Sequence, residues 1–193
     1  MLLTGAMLLF LITGCAGVQG NMSANLLLNG SFEQPMTPSD WIIAPDLQDW
    51  NGEWLASSVG AMQRVQDDAA PDGDYYMKFI GFGPNTLASP PVPYHGEEIL
   101  VEGWFLTENL VSDYLRPIGG EVQIVGLDAQ GRFVEAHTLL ELNGTSGGWK
   151  LYYLHSRLGP DVRQISLYIR FRIIARGLFA FDGLSLRLKT LHP

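Results

Sequence analysis

Residues 165–173 read ISLYIRFRI, with an apolar side chain at every odd position and a polar or amphipathic one at every even position. A two-residue period of this kind describes a β-strand buried on one face and wet on the other. Comparable runs recur at 75–80, 98–106, 121–127, 133–142, 149–156 and 178–188, separated by Gly, Pro, Asn and Asp. DAQG at 128–131 is a hairpin signal, and NGTSGG at 143–148 reads as a longer loop. Two stretches, 34–40 and 81–94, read as surface loops, the second punctuated by six prolines and glycines. No capped amphipathic pattern of helical period follows residue 25. The expectation is an all-β chain, a jelly-roll sandwich of two antiparallel sheets.

Composition narrows the class. With 193 residues and 47% hydrophobic side chains, one domain with a sizeable core is the natural count. A single cysteine excludes a disulfide scaffold. An excess of 20 acidic over 12 basic side chains, for a net charge of −8, argues against a nucleic-acid partner.

The chain opens MLLTGAMLLFLITG, fourteen residues without a charge and too short to cross a ~30 Å hydrocarbon core as a helix. Its end, LITGC at 11–15, resembles the bacterial lipobox: an aliphatic residue, small residues, then Cys. The resemblance implies that 1–14 is a lipoprotein signal peptide and that Cys15 is acylated. Residues 15–24 would then be a small, polar tether, and 25–193 the domain. Ala16 follows the cysteine, with no Asp to suggest inner-membrane retention. The expected location is the bacterial cell envelope, held to the membrane through the lipid alone. The usual Lys or Arg ahead of the apolar run is missing. The alternative is an ordinary signal peptide that contains a Cys.

NLLLNGSFE at 25–33 is similar to the opening of a family of β-sandwich carbohydrate-binding modules found attached to cellulases and xylanases. The later landmarks fall in the same order: a Trp cluster (Trp41, Trp50, Trp54), DGDYYMK at 72–78, EILVEGWFL at 98–106, GW at 148–149 and FDGLSL at 181–186. The resemblance covers about residues 25–189 and implies a galactose-binding-like jelly roll. Gly183 stands where a second Asp is common, and Tyr76 replaces a small residue.

The resemblance also implies sites. A structural calcium would draw on Glu33 and Asp182, with carbonyls near Asp72 and Gly73, since calcium takes six to eight oxygens. The alternative is that both carboxylates bond local backbone amides. Sugar recognition needs flat apolar rings and oriented polar groups. Trp50, Trp54 and Trp41 are the candidate rings, while Trp104 and Trp149 are expected in the core. Tyr168, Arg170 and Arg172, on the polar face of the 165–173 strand, are the candidate cleft residues.

Charge is uneven: residues 25–149 hold 4 basic and 18 acidic side chains, residues 150–193 hold 8 and 2. If Arg157, Arg163, Arg170, Arg172 and Arg176 share one surface, an acidic polysaccharide becomes the preferred ligand. GTSGG at 144–148 formally matches a nucleophile elbow, but a strand follows it where a helix is required. Glu102, Glu121 and Glu141 would serve a glycosidase only if they converged. The sequence therefore predicts a lipid-anchored, non-catalytic binder of poly- or oligosaccharide, working beside separate glycan-degrading enzymes. The alternatives are a surface adhesion or structural protein that binds protein, and a small jelly-roll hydrolase or lyase.

Overall fold

The computed structural model describes residues 21–37, 41–43, 62–82, 85–112, 118–171 and 175–190. Along the chain run β1 (Asn21–Met22), β2 (Ile42–Ile43), β3 (Met62–Gln66), β4 (Tyr75–Phe82), β5 (Asn85–Ala88) and β6 (Val92–Pro93). They are followed by β7 (Glu98–Ser112), β8 (Gly120–Leu127), β9 (Phe133–Leu142), β10 (Lys150–Ser156), β11 (Gln164–Phe171) and β12 (Ala175–Thr190). No helix occurs among the described residues.

The strands form two antiparallel sheets. The first has the order β10-β7-β12-β4-β3, with β1 pairing β12. The second has the order β2-β5-β11-β8-β9, with β6 pairing β11. Alternation in the sequence becomes sidedness here. Ile165, Leu167, Ile169 and Phe171 of β11 are buried, as are Val122 and Ile124 of β8. They meet Phe79, Phe105, Phe179 and Phe181 of the first sheet in one core. The Phe79 ring lies 5.4 Å from Phe181 and 6.0 Å from Phe171, so aromatic contacts cross between the sheets.

The opening and closing motifs lock together. Asn25 Oδ1 accepts the backbone N–H of Leu27 and Leu186, and its Nδ2 donates to the Leu184 carbonyl. Leu184 N–H donates to the Gly30 carbonyl at 2.9 Å. A Cβ at Gly30 would lie 2.1 Å from the Leu184 oxygen, so glycine is required by this close approach. Asn29 and Phe32 take positive φ values of 50° and 56°, and the turn drives the Phe32 ring between Trp41 and Phe181.

Two sequence expectations shift. Residues 81–94 are not a surface loop throughout: they contain β5, which pairs β11 and buries Thr86, Leu87 and Ala88. The tether expected at 15–24 also enters the fold earlier, because Asn21 and Met22 pair with Thr190 and Lys189.

Candidate functional site

Side chains at even positions of β11 leave the core and line the outer face of the second sheet. Register places Tyr168 between Ala88 and Gln123, and Arg170 between Thr86 and Glu121. Arg170 Nη1 donates to Gln123 Oε1 at 3.2 Å. Gln123 Nε2 donates to Glu121 Oε2 and to Thr138 Oγ1, both at 3.1 Å. The amide is therefore fixed in one orientation and holds the guanidinium in place. Glu121 and Gln123 are buried, Tyr168 and Arg170 are half-buried, and Thr138 is exposed. The arrangement is an oriented polar strip with an inner supporting layer. Burial pushes the Tyr168 hydroxyl above its ordinary pKa, partly offset by Arg170, so it stays a neutral donor.

Thr86 belongs to the same strip. It is 3% exposed, and its Oγ1 is a buried side-chain oxygen with no hydrogen-bond partner. An unpaired buried hydroxyl costs about 1–3 kcal/mol, which a ligand hydroxyl or a water would recover.

The expected site residues divide. Tyr168 and Arg170 lie on the strip, whereas Arg172, Trp50, Trp54 and Cys15 lie outside the described residues. Trp41 is a correction. It is 3% exposed, packs on Phe32 at 5.6 Å and points its Nε1 toward the Asn29 carbonyl at 3.4 Å. It is a core ring, not a sugar platform. Trp104 and Trp149 are corrected the other way. Both are half-buried on the outer face of the first sheet, Trp149 edge-on to Tyr76 at 5.2 Å.

The expected metal residues do assemble, as a clasp. Glu33 Oε1 accepts the backbone N–H of Asp74 and Tyr75, both at 3.0 Å. Asp182 accepts N–H from Asp72 at 2.9 Å and from Gly183 at 2.7 Å. Gly73, at φ 86°, passes so close that an added Cβ would sit 2.4 Å from Glu33 Oε1. Arg64, which the sequence reading missed, donates to the Phe32 and Glu33 carbonyls at 2.6 and 2.7 Å. Its guanidinium also covers the Tyr75 ring at 3.4 Å. These oxygens already face N–H donors. Among the described residues, no group of three or more His, Cys, Asp or Glu is arranged to hold a metal ion. In this arrangement Glu33 Oε1 and both Asp182 oxygens act as a hydrogen-bonded clasp.

Among the described residues, the three carboxylates considered for a glycosidase do not converge. Glu102 faces outward from the first sheet, while Glu121 and Glu141 pair across β8 and β9 of the second. The three carboxylates stand on opposite sides of the sandwich. Ser146 of the GTSGG loop is held by Thr107 N–H at 3.1 Å and donates to the Gly148 carbonyl at 2.7 Å. The basic C-terminal quarter is also split, since Arg170 belongs to the second sheet and Arg176 to the first. These two arginines therefore do not share one sheet.

No family model and no curated protein matches the chain. Solved structures do. A carbohydrate-binding module of family 16 aligns at TM-score 0.56 and 17% identity, covering 84% of this chain and 99% of its own. The CBM22-1 xylan-binding domain of Paenibacillus barcinonensis Xyn10C aligns at 0.54 and 14%, covering 90% and 97%. TmCBM61, solved with β-1,4-galactotriose, aligns at 0.50 and 18%, covering 85% and 98%. The chain has the β-sandwich fold of carbohydrate-binding modules.

Proposed function

We propose that this protein is a non-catalytic carbohydrate-binding protein that takes a poly- or oligosaccharide on the outer face of its second sheet. The observation that carries the reading is the strip of Arg170, Gln123, Glu121 and Thr138, with the unpartnered Thr86 hydroxyl beside it. Sugar hydroxyls donate and accept at once, so they pair with an oriented guanidinium, a phenol and a threonine hydroxyl together. Within the proposal, Tyr168 and Arg170 contact the ligand, and Gln123 and Glu121 position Arg170. Trp50 and Trp54, with Arg172, complete the stacking and polar set expected from the sequence.

The proposal includes an acyl anchor at Cys15 and display at a bacterial envelope, beside separate glycan-degrading enzymes. Its support is the lipobox-like LITGC. The test is binding of the full-length chain to xylohexaose, cellohexaose and β-1,4-galactotriose, with Arg170→Ala alongside. Saturable binding that weakens about tenfold in Arg170→Ala supports the reading. Binding to none of these sugars, or binding indifferent to Arg170, refutes it. Metabolic labelling with a fatty acid, lost in Cys15→Ser, tests the anchor.

A further inference from the structure

The outer face of the first sheet, on the side of the sandwich away from Arg170, carries a groove of about 270 Å³. Its walls come from β10, β7 and β12, and Met22 of β1 closes one side. Two cross-strand rows build it. Tyr153, Glu102 and Ser185 stand side by side in the first, and His155, Leu100 and Arg187 in the second. The bulge in β12 between Asp182 and Ser185 sets this register, turning Leu184 into the core and Ser185 and Arg187 outward.

The groove's chemistry is specific. Tyr153 is 66% exposed, an isolated flat ring that no neighbouring aromatic covers among the described residues. Glu102 and Arg187 are half-buried diagonal neighbours, roughly 7–8 Å apart at the backbone end. Neither side chain makes a hydrogen bond or ion pair among the described residues. This contrasts with the next row, where Glu98 is engaged by His155 at 3.2 Å and Lys189 at 3.7 Å. A carboxylate and a guanidinium held apart beside an open ring present an acceptor, a donor and a stacking surface in one groove.

We propose that this groove is a second carbohydrate site, taking a neutral pyranose unit with its C–H face on Tyr153. One ring hydroxyl donates to Glu102, and a neighbouring hydroxyl accepts from Arg187. Neutrality follows from the paired opposite charges, which leave no net field to select a polyanion. The volume, slightly below the ~300 Å³ at which small-ligand pockets begin, suits one or two sugar rings rather than a long segment. The site does not depend on the second sheet, so the protein would hold two glycans on opposite faces.

The experiment uses the full-length chain carrying Arg170→Ala, which isolates the groove, titrated with xylohexaose, cellohexaose and β-1,4-galactotriose. The expected result is retained binding of at least one of the three, weakened about tenfold or more by adding Tyr153→Ala. Glu102→Gln and Arg187→Gln should each weaken it too, whereas Tyr153→Phe should preserve it. Affinity should hold at about 0.5 M salt, because the ligand is uncharged. An unchanged thermal midpoint in Tyr153→Ala certifies that the exposed ring was removed from a folded protein. No binding in Arg170→Ala, or binding indifferent to Tyr153, overturns the groove. If the unsubstituted chain binds and Arg170→Ala does not, the second-sheet reading survives alone. If Arg170→Ala binds as the unsubstituted chain does and Tyr153→Ala abolishes binding, only the groove survives.

Discussion

Asp182 Oδ2 accepts the backbone N–H of Asp72 at 2.9 Å, joining a loop before β4 to the middle of β12. The carboxylate is buried, and burial pushes its pKa up to about 7. The nearby Asp72 and Glu33 charges push the same way, while the two amides it accepts pull back.

This raised pKa fixes the sign of a pH dependence. The folded state binds the Asp182 proton more tightly than the unfolded chain does, whose value is near 3.8. Its stabilising contribution is therefore complete below about pH 4 and is lost as pH rises through 7. The thermal midpoint should fall between pH 5 and pH 7.5, with a slope of at most about 1.4 kcal/mol per pH unit from this group. Asp182→Asn should flatten that slope. An equally steep slope in the variant would remove Asp182 as its source.

Calcium offers a second test of the same clasp. With Glu33 and Asp182 engaged by amides, a chelator should leave the thermal midpoint unchanged. A calcium-dependent rise of several degrees, absent from Asp182→Asn, would show that the clasp opens to take the ion.

Thr86→Val separates stability from binding. Replacing the unpartnered hydroxyl by a methyl of similar shape should raise stability by up to about 1 kcal/mol. Glycan binding on the second sheet should weaken in the same variant. A loss of both would place Thr86 in the packing rather than the site.

Gly30→Ala and Trp41→Ala report on the fold alone. The first forces a Cβ against the Leu184 oxygen and should cost about 1–3 kcal/mol, or more because the obstacle is backbone. The second removes a buried ring and should cost about 3–5 kcal/mol. Denaturant unfolding measures both. Trp41→Ala that stays folded should bind sugar as before, which distinguishes a core ring from a platform.

What the sequence made legible is tied to period and to chain distance. The β11 alternation announced both its core face and its polar face, and Tyr168 and Arg170 lie where that period puts them. β5 was hidden because Asn-Thr-Leu-Ala is short, weak in β-branched residues and bracketed by prolines. Trp104 was misplaced because the resemblance carried over a buried ring, whereas the alternation of β7 turns Trp104 outward between the buried Gly103 and Phe105. Trp41 was drawn outward by neighbouring loop signals, although the turn at Phe32 carries the core to it. Arg64 carried no local signal, since the carbonyls it binds lie 31 and 32 residues away. Thr86 became notable only once its neighbours were known.

The pairing of Asn21 with Thr190 has a mechanical consequence. Tension entering the domain through the residues before β1 reaches the end of the longest strand first. It must break the two bonds linking Ser23 to Leu188 before it meets those of Asn25 to Leu184 and Leu186. These bonds lie in series, so a pull on the chain's start peels them one after another. The core phenylalanines lie off that line of force, whereas Met22 of β1, which closes one side of the first-sheet groove, lies on it. A pull from that end would therefore open the Met22 side of the groove before it disturbs β11.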